Sequence, residues 1–401
     1  MKKPRIFINM HYMALGGAER ALLGLLNALD PERVDVDLFL NQHTGEFMPL
    51  IPKHVNLLPE RRGYNAIERP MKAILKEGQL GVLLGRLKAR WQHNRYHRSL
   101  KEPNRSFDTS VFQYVMSSVE PYLQSLYDLG EYDMAISFMQ PHNVVLNRVK
   151  AKTKIAWIHQ DYSTIHVNVE QELPLWYGYD HIISISSDCT ISFLKKFPSL
   201  KTKIVEIENI LSPSFVRQQA VLLDVSKEMP ENGLKLLSIG RFCHQKNFDN
   251  VPDIARGIVQ AGYKNLRWYI IGFVYESAIK EKINETGMQD HVIILGKKEN
   301  PYPYIKACDI YVQPSRYEGK SVTVREAQIL CKPVVITNYA TSSSQIRHGE
   351  DGLIVPMDNV GCACSKVQLI KDSSLQRHIA DYQQRHDFGN EGEVEKIFKM
   401  L

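Results

Sequence analysis

Two carboxylates that could take part in binding or catalysis lie in the segment YEGKSVTVREAQIL, where seven residues separate Glu318 from Glu326. Apolar, β-branched segments on both sides predict strands, and Ser321 can cap a helix between them. Strand, glycine-containing loop, helix and strand form a parallel βαβ unit, whose ligands bind at the carboxyl ends of strands beside a helix N-terminus. The spacing therefore predicts that both carboxylates border a ligand site. The alternative is one loop glutamate and one solvated helix glutamate without function.

Two cations follow another predicted strand, in the segment GRFCHQKN (240–247). Arginine binds two oxygens of a phosphate group at once, and lysine adds a point charge. Arg241 and Lys246, at the carboxyl end of a strand, therefore suit a diphosphate. Ordinary surface charge is the alternative.

The first third of the chain has two candidate sites of the same kind. In GGAER (16–20), Gly16 and Gly17 follow a strand and open a helix, so their amides could meet an anionic group. The full G-x-G-x-x-G spacing of a dinucleotide fingerprint is absent. In WIHQDYS (157–163), His159 directly follows a strand and could hydrogen-bond a substrate hydroxyl. A structural turn and a core histidine are the respective alternatives.

Metal chemistry has little support in the sequence. Asp35 and Asp37 match a D-x-D motif, but they alternate with apolar residues, which predicts a solvated strand face. The six cysteines form no C-x-x-C pair, and the C-A-C of Cys362 and Cys364 suits neither zinc nor a disulfide. We expect a reducing, cytoplasmic compartment and no metal.

The elements that position these residues form two series of alternating strands and helices. They predict an α/β protein with two doubly wound, Rossmann-like domains, 1–210 and 211–388, with a linker over 211–233. Residues 61–130 interrupt the first series as a helical, basic insert. A short amphipathic helix is expected in 389–401.

Charge is concentrated in the insert. The chain carries a formal charge of +6, whereas residues 61–105 contain twelve Lys or Arg and three acidic residues. Leu, Ile and Trp at helical spacing among these cations favour an anionic membrane surface as partner. No nucleic-acid-binding fold surrounds the segment, so nucleic acid is not expected. A solvated basic hairpin is the alternative. We expect neither a signal peptide nor a membrane-spanning helix, since no apolar run is long enough.

Taken together, GGAER, WIHQD, the G-R-x4-K-N of GRFCHQKN and Glu318-x7-Glu326 resemble the retaining glycosyltransferases of the GT-B class, family four. They occur in family order across almost the whole chain, except 61–130. The resemblance implies two Rossmann-like domains facing each other across a cleft, with the C-terminal helix crossing back onto the first domain.

The resemblance also implies residue roles. Arg241 and Lys246 bind the donor diphosphate, Glu318 contacts the transferred sugar, and Glu326 binds the ribose hydroxyls. His159 contacts the donor sugar near the reacting carbon, and the base lies against 296–300. The remaining substrate-binding positions are Gly16, Gly17, Gly319, Lys320, Ser321 and Val322. Lys320 and Ser321 depart from the common family residues, so the donor sugar stays open.

The implied activity is metal-independent, retaining transfer of a hexose or N-acetylhexosamine from a UDP- or GDP-sugar, with no cofactor. The expected acceptor is a glycan, lipid-linked, for a cell-surface polysaccharide such as capsule or O-antigen. The enzyme would be cytoplasmic and peripheral on the inner face of the membrane. Two alternatives remain: a soluble transferase or phosphorylase acting on a small sugar, and a non-catalytic nucleotide-sugar-binding protein.

Overall fold

The chain divides into two compact units. The computed structural model describes residues 3–14, 16–66, 69–100, 107–272, 276–318, 320–358 and 369–401. Unit 1 comprises Met1–Ile210 and Glu391–Leu401, and unit 2 comprises Leu211–Asn390. The last residues of the chain therefore belong to unit 1. Among the sequence candidates, Gly319, Cys362 and Cys364 lie outside the described residues.

Unit 1 is built on a seven-stranded parallel sheet in the order β3-β2-β1-β5-β6-β8-β9. A separate two-stranded parallel sheet pairs β4 with β7. The strands are β1 (Arg5–Met10), β2 (Asp35–Leu40), β3 (Asn56–Leu57), β4 (Phe107–Asp108), β5 (Glu131–Ser137), β6 (Lys150–Ile158), β7 (Ile165–His166), β8 (His181–Ser184) and β9 (Ile204–Glu206).

Helices connect these strands in the doubly wound manner, and three of them form the insert. They are α1 (Gly17–Ala28), the insert helices α2 (Met71–Lys76), α3 (Leu80–Ser99) and α4 (Ser110–Val119), and then α5 (Asn143–Arg148), α6 (Val169–Tyr177) and α7 (Ser187–Lys196). The C-terminal helix of unit 1, given below, follows unit 2 in the chain.

Unit 2 contains a six-stranded parallel sheet in the order β12-β11-β10-β13-β14-β15. Its strands are β10 (Leu234–Ile239), β11 (Leu266–Ile271), β12 (Val292–Gly296), β13 (Ile310–Gln313), β14 (Val334–Thr337) and β15 (Leu353–Val355). Its helices are α8 (Pro213–Gln219), α9 (Val251–Gln260), α10 (Glu276–Thr286), α11 (Tyr302–Ala307), α12 (Val322–Ile329) and α13 (Ser373–Arg385).

The apolar core of unit 2 lies on both faces of its sheet. Alternate residues of a strand point to opposite faces, so Leu236 and Leu237 of β10 belong to different buried clusters. Helices cover both faces, as parallel sheets require. The prediction of an α/β fold with two Rossmann-like, doubly wound domains is confirmed.

The segment predicted as a linker is partly core, and this prediction is wrong for 211–220. Helix α8 begins at Pro213, capped by Ser212, whose side chain accepts a hydrogen bond from the Phe215 amide. Val216 is 1% exposed and packs in one of the two unit 2 clusters. The apolar residues here follow helical spacing, which the prolines on either side obscured.

Asp37 is also not the solvated residue that alternation predicts. Its side chain forms an ion pair with Arg5 at 2.8 Å and accepts hydrogen bonds from Asn56 Nδ2 at 2.6 Å and Tyr132 Oη at 2.7 Å. These three donors use its carboxylate oxygens to join β1, β2, β3 and β5. Asp35 is exposed, as expected.

The C-terminal helix α14 (Val394–Phe398) packs within unit 1. Ile397 is fully buried, and the Arg33 guanidinium lies 3.6 Å from the centre of the Phe398 ring. Arg33 also pairs with Glu395. Arg33, which follows α1, therefore contacts this short helix through both an aromatic ring and a carboxylate.

Candidate functional site

The sheet order places the topological switch point of unit 2 between β10 and β13. The order β12-β11-β10-β13-β14-β15 reverses direction between these two neighbours, since the chain winds outward from β10 to one edge and from β13 to the other. In open α/β sheets, ligands bind at this switch point, outside the carboxyl ends of the strands. The loops that leave β10 and β13 are 240–250 and 314–321, which contain most of the predicted residues.

Two glycines, Gly240 after β10 and Gly272 after β11, allow close packing at these strand ends. A Cβ on Gly272 would lie 2.1 Å from the carbonyl oxygen of Gly240, so the backbones meet more closely than a side chain allows. A Cβ on Gly240 would lie 3.0 Å from Cε of Lys246. The lysine stem therefore lies across Gly240, and its ammonium group is directed by this packing.

Lys246 and Glu318 form an ion pair between the loops that follow β10 and β13. Lys246 Nζ lies 2.6 Å from Glu318 Oε1, and the side chains are only 16% and 6% exposed. A charge-assisted hydrogen bond of this length is among the stronger kinds in proteins. Two predicted residues that are 72 positions apart are thus brought into direct contact.

Neutral side chains hold Glu318 in place around this pair. Ser315 Oγ donates to Glu318 Oε1 at 2.6 Å, and Gln245 Nε2 donates to Oε2 at 3.2 Å. Gln313 Nε2 lies 3.3 Å from Oε1, and Thr341 Oγ1 donates to the Glu318 carbonyl at 2.7 Å. The carboxylate is therefore an oriented acceptor, not a mobile loop side chain.

The two loops are also joined through their backbones. Asn247 is buried in a left-handed conformation with φ of 60°, and its Nδ2 donates to the Pro314 carbonyl at 2.8 Å. Asparagine tolerates this region better than other residues that have a side chain. Arg316 donates its amide to Gln245 and pairs with Asp249 at 2.6 Å. These contacts fix the spacing between the two loops.

Arg241 differs from Lys246 because its side chain is exposed. Within the described part of the chain it has no hydrogen bond or ion pair. Because the Arg241 guanidinium has no such partner and follows a strand at the switch point, it is available to a ligand.

Helix α12 begins directly after the loop that follows β13. Ser321 is 5% exposed, and its hydroxyl does not cap the helix but pairs with Thr323 Oγ1 at 3.0 Å. The Ser321 amide donates to Gln345 Oε1 at 3.1 Å. Val322 starts the helix, no acidic residue lies in its first turn, and Lys320 is exposed. The positive end of the helix dipole is therefore not neutralised by a side chain of that turn.

Glu326 is fully buried, so the alternative of a solvated helix glutamate is wrong for this residue. Tyr302 Oη donates to its Oε1 at 3.0 Å. Burial first, and then the Glu326 and Glu318 carboxylates, raise the pKa of Tyr311. Both glutamates are thus electrostatic neighbours of one tyrosine on β13.

The predicted residues of unit 1 lie along the carboxyl edge of its own sheet. Gly16 caps α1 and Gly17 is its first residue. A Cβ on Gly16 would lie 2.1 Å from Glu19 Oε2, so the Glu19 carboxylate folds back over the start of the helix. Burial raises the pKa of Glu19, although a hydrogen bond to its own backbone amide opposes this. The helix start is therefore occupied by an internal carboxylate.

His159 directly follows β6, as predicted. Both ring nitrogens are shielded from solvent and have no hydrogen bond of standard geometry within the described residues, although the Phe138 backbone is close enough to raise the pKa slightly against the effect of burial. The ring packs against Phe138 and Trp157, and burial lowers its pKa to about 4. A cavity of about 20 Å³ adjoins it, which is room for one water molecule. The imidazole is thus neutral near pH 7 and has polar atoms left to bond.

Several residues that organise the site escaped prediction. Asn247 belongs to the segment GRFCHQKN. The signal available in the sequence was its residue type, because asparagine tolerates the left-handed conformation that it adopts here. Gln313, Ser315, Gln345 and Tyr302 carry no spacing signal, because they reach the site only through the folded sheet. The loop 296–300 has Lys298 paired with Glu228 and Asn300 Nδ2 bonded to the Gln219 carbonyl. Its contact with a base remains a prediction.

Comparison with solved structures confirms the fold class. Anabaena HepE, solved in complex with UDP and glucose, matches with a TM-score of 0.65 at 16% identity, over 99% of each chain. Staphylococcus aureus TarM matches with a TM-score of 0.62 at 13% identity, again over 99% of each chain. Two Rossmann-like, parallel-sheet domains in one chain define the GT-B class.

Sequence comparison adds the family. Residues 223–393 match the model of glycosyl transferases group 1. The amylovoran biosynthesis glycosyltransferase AmsD of Erwinia amylovora is 25% identical over 250 residues, 61% of this chain and 69% of that protein. The lipopolysaccharide core mannosyltransferase LpsB of Rhizobium meliloti is 33% identical over 88 residues, 21% of this chain and 25% of that protein. Residues 223–393 are therefore similar to the group 1 glycosyltransferases.

Proposed function

We propose that this protein is a retaining glycosyltransferase that moves a hexose or N-acetylhexosamine from a UDP- or GDP-sugar to a glycan acceptor. The observation that carries the proposal is the Lys246–Glu318 pair at the switch point of unit 2. One member suits phosphate oxygens and the other suits sugar hydroxyls, and they touch at 2.6 Å. Exposed Arg241 and the N-terminus of α12 supply further positive potential at the same loops.

The chemistry requires charge stabilisation at the leaving group. The bond between the anomeric carbon and the diphosphate oxygen breaks, and negative charge grows on that oxygen. Arg241, Lys246 and the α12 amides stabilise it, and donors of this kind contribute about 3 kcal/mol each. The acceptor hydroxyl attacks the same face of the sugar, and its proton passes to the leaving phosphate, so the configuration is retained. No step in this scheme needs a metal.

The two glutamates are assigned to different rings of the donor. Glu318, held by Ser315 and Gln245, accepts from hydroxyls of the transferred sugar. Glu326 accepts from the ribose hydroxyls. Because Glu326 has no exposed surface, this contact requires a shift of the side chains that cover it. Gly319, Lys320, Ser321 and Val322 are assigned to the transferred sugar and the distal phosphate. We expect Lys320 and Ser321 to influence which sugar fits.

Roles for unit 1 follow from the family resemblance. We assign His159 to the donor sugar, and its neutral, unpartnered ring supports this assignment. Gly16 and Gly17 are assigned to the diphosphate. Because Glu19 folds over Gly16, a phosphate at this helix start must displace that carboxylate. The nucleotide base is assigned to the loop 296–300.

The acceptor is proposed to be a lipid-linked oligosaccharide of a cell-surface polysaccharide. AmsD is named for amylovoran biosynthesis, and CapM of Staphylococcus aureus, 28% identical over 144 residues, for capsular polysaccharide biosynthesis. In the described residues, no helix is long and apolar enough to cross a membrane. Helix α3 nevertheless exposes Leu80, Leu84, Leu87 and Trp91 on one side. We propose peripheral attachment to the cytoplasmic face through this helix.

Thermal denaturation with a panel of nucleotides and nucleotide-sugars tests the donor assignment. A ligand of the folded state raises the melting temperature by mass action. We expect one UDP- or GDP-sugar to stabilise the protein most. Glu318→Gln removes a sugar contact and also the partner of Lys246, so each melting-temperature shift is measured against the unliganded variant. The variant should lose more of the response to that nucleotide-sugar than of the response to the bare nucleotide.

Glu285→Gln, on an exposed glutamate of unit 2, is the matched control and should respond like the wild type. A panel without any stabilising nucleotide diphosphate would contradict the proposal. Release of a sugar phosphate that depends on added phosphate would instead indicate a phosphorylase.

A further inference from the structure

Three metal-ligating side chains converge in the insert of unit 1, in a cluster that the transferase function does not use. His93 and His97 lie near the end of α3, and Asp108 lies on β4. Asp108 Oδ2 is 2.9 Å from His93 Nε2 and 2.5 Å from His97 Nε2. All three potential ligand atoms lie within 4.8 Å of one another.

The helix accounts for the two imidazoles. Residues four positions apart share a helix face, and the His93 and His97 ring centroids are 4.6 Å apart. Such i, i+4 histidine pairs on one helix bind metal ions because both nitrogens reach the same point. Their side chains are 17% and 41% exposed, so the point is open to solvent on the His97 side.

The carboxylate is oriented by bonds to its other oxygen. Asp108 Oδ1 accepts from the Ser110 amide at 3.0 Å and from Ser110 Oγ at 2.7 Å, which leaves Oδ2 toward the imidazoles. Metal ligands are commonly held by such outer hydrogen bonds. His166, opposite Asp108 in the β4–β7 pair, has its Nε2 taken by Tyr96 Oη at 2.9 Å. It is therefore a neighbour of the cluster and not a fourth ligand in this arrangement.

We propose that His93, His97 and Asp108 bind one Zn²⁺ ion, with water as the fourth ligand. Two imidazole nitrogens and one carboxylate oxygen suit Zn²⁺, whereas Mg²⁺ and Ca²⁺ prefer oxygen ligands alone. Zinc lies about 2.0–2.2 Å from such atoms, which spaces tetrahedral ligands about 3.4 Å apart. The two separations between Asp108 Oδ2 and the imidazole nitrogens, 2.9 and 2.5 Å, need to widen by less than about 1 Å, and the two imidazole nitrogens already lie within 4.8 Å of each other.

The bound ion would tie the end of α3 to the β4–β7 pair. Without a metal, the same residues form only hydrogen bonds between two histidines and a shared carboxylate. The two cases differ in what added zinc does. A metal site is stabilised by zinc in a stoichiometric way, whereas a hydrogen-bonded cluster is indifferent to it.

Calorimetric titration of the chelator-treated, full-length protein with Zn²⁺ tests the proposal. We expect one equivalent to bind, a rise in melting temperature, and no binding of Mg²⁺. Co²⁺ in place of Zn²⁺ should give the intense visible absorption of a tetrahedral nitrogen and oxygen site. His97→Gln and Asp108→Asn should each weaken zinc binding at least about 100-fold, since even outer-shell changes cost 10–100-fold.

His378→Gln, an exposed histidine in unit 2, is the matched control and should keep wild-type affinity. Circular dichroism identifies any variant that fails to fold, and the conservative His93→Gln gives an independent ligand deletion. Absence of stoichiometric zinc binding in the wild type would overturn the proposal. Binding that His93→Gln, His97→Gln and Asp108→Asn leave unchanged would overturn it equally.

Discussion

At the scale of single residues, the Lys246–Glu318 pair joins the two loops of the proposed donor site. An ion pair with side chains 16% and 6% exposed has lost most of its hydration, so each charge depends on the other. In the proposed function, a nucleotide-sugar replaces part of this mutual contact, with a phosphate oxygen at Lys246 and a sugar hydroxyl at Glu318. The pair therefore keeps the proposed site polar and ordered before the ligand binds.

This dependence predicts a strongly non-additive double-mutant cycle. Lys246→Met leaves a buried carboxylate, and Glu318→Ala leaves a buried ammonium, so each should lower the free energy of unfolding by about 3 kcal/mol. The double variant Lys246→Met/Glu318→Ala should lose much less than the sum. Urea unfolding measures all four proteins. Additive losses would show that the pair is not coupled in solution.

At the scale of elements, α3 is an unusual helix because its exposed side is apolar. Leu80, Leu84, Leu87 and Trp91 recur at i, i+4, i+7 and i+11 and are 59%, 59%, 48% and 60% exposed. The opposite side, with Val82, Gly85 and Ala89, is buried. Exposed Lys88 and Arg95 lie beside the apolar stripe. This arrangement suits an anionic bilayer surface, with leucines in the acyl boundary and cations at the headgroups.

Vesicle sedimentation tests this element. The wild type should pellet with vesicles that contain anionic phospholipid and remain mostly in the supernatant with purely zwitterionic vesicles. Leu84→Glu should reduce the pelleted fraction several-fold, because it places a charge in the stripe. Ile191→Glu, on an exposed isoleucine of α7 in the same unit, should not. Equal pelleting of both variants would exclude α3 as the attachment site.

At the scale of the whole molecule, buried titratable groups of unit 1 tie its stability to pH. Burial raises the pKa of Glu172 to about 7 and lowers the pKa of His142 to about 3. Between about pH 4.5 and 7 the folded protein binds more protons at Glu172 than the unfolded chain does. Stability from this group therefore falls as pH rises through that window. His142 and His159 have the opposite effect: their lowered pKa values make the folded protein less stable as the pH falls below about 6.5.

Glu172→Gln isolates the glutamate contribution. The free energy of unfolding of the variant, relative to wild type, should rise between pH 5 and pH 7 and level off above. The total gain is at most about 3 kcal/mol, from 1.36 kcal/mol per pKa unit. Urea unfolding at a series of pH values measures it. Glu170→Gln, exposed on the same helix, should show no trend. If the difference in free energy of unfolding between Glu172→Gln and wild type did not change with pH, the pKa of Glu172 would not be raised in the folded protein.

Sequence patterns predicted most strands of the two large sheets, because buried parallel strands are continuous apolar runs. The short edge strands β3 and β15 were not predicted. The patterns also placed Lys246 and Glu318 at strand ends, from which their meeting follows once β10 and β13 are neighbours. They could not predict the burial of Glu326 or the contacts of Asp37. Periodicity indicates which side chains share a face of a helix or strand, but it does not indicate which other elements pack against that face. The His93–His97–Asp108 cluster was missed because Asp108 lies on a separate short strand, and sequence spacing does not show that this strand packs against the histidines of α3.

The most direct measurement of the central claim is calorimetric titration of nucleotide diphosphates into wild type, Arg241→Ala and Arg377→Ala. Both arginines are exposed residues of unit 2, and only Arg241 follows a switch-point strand. The proposed diphosphate site predicts that Arg241→Ala binds UDP or GDP at least about 10-fold more weakly, as expected for loss of a charged hydrogen bond, while Arg377→Ala binds like the wild type. Equal affinity of the two variants for the nucleotide that binds would contradict the site.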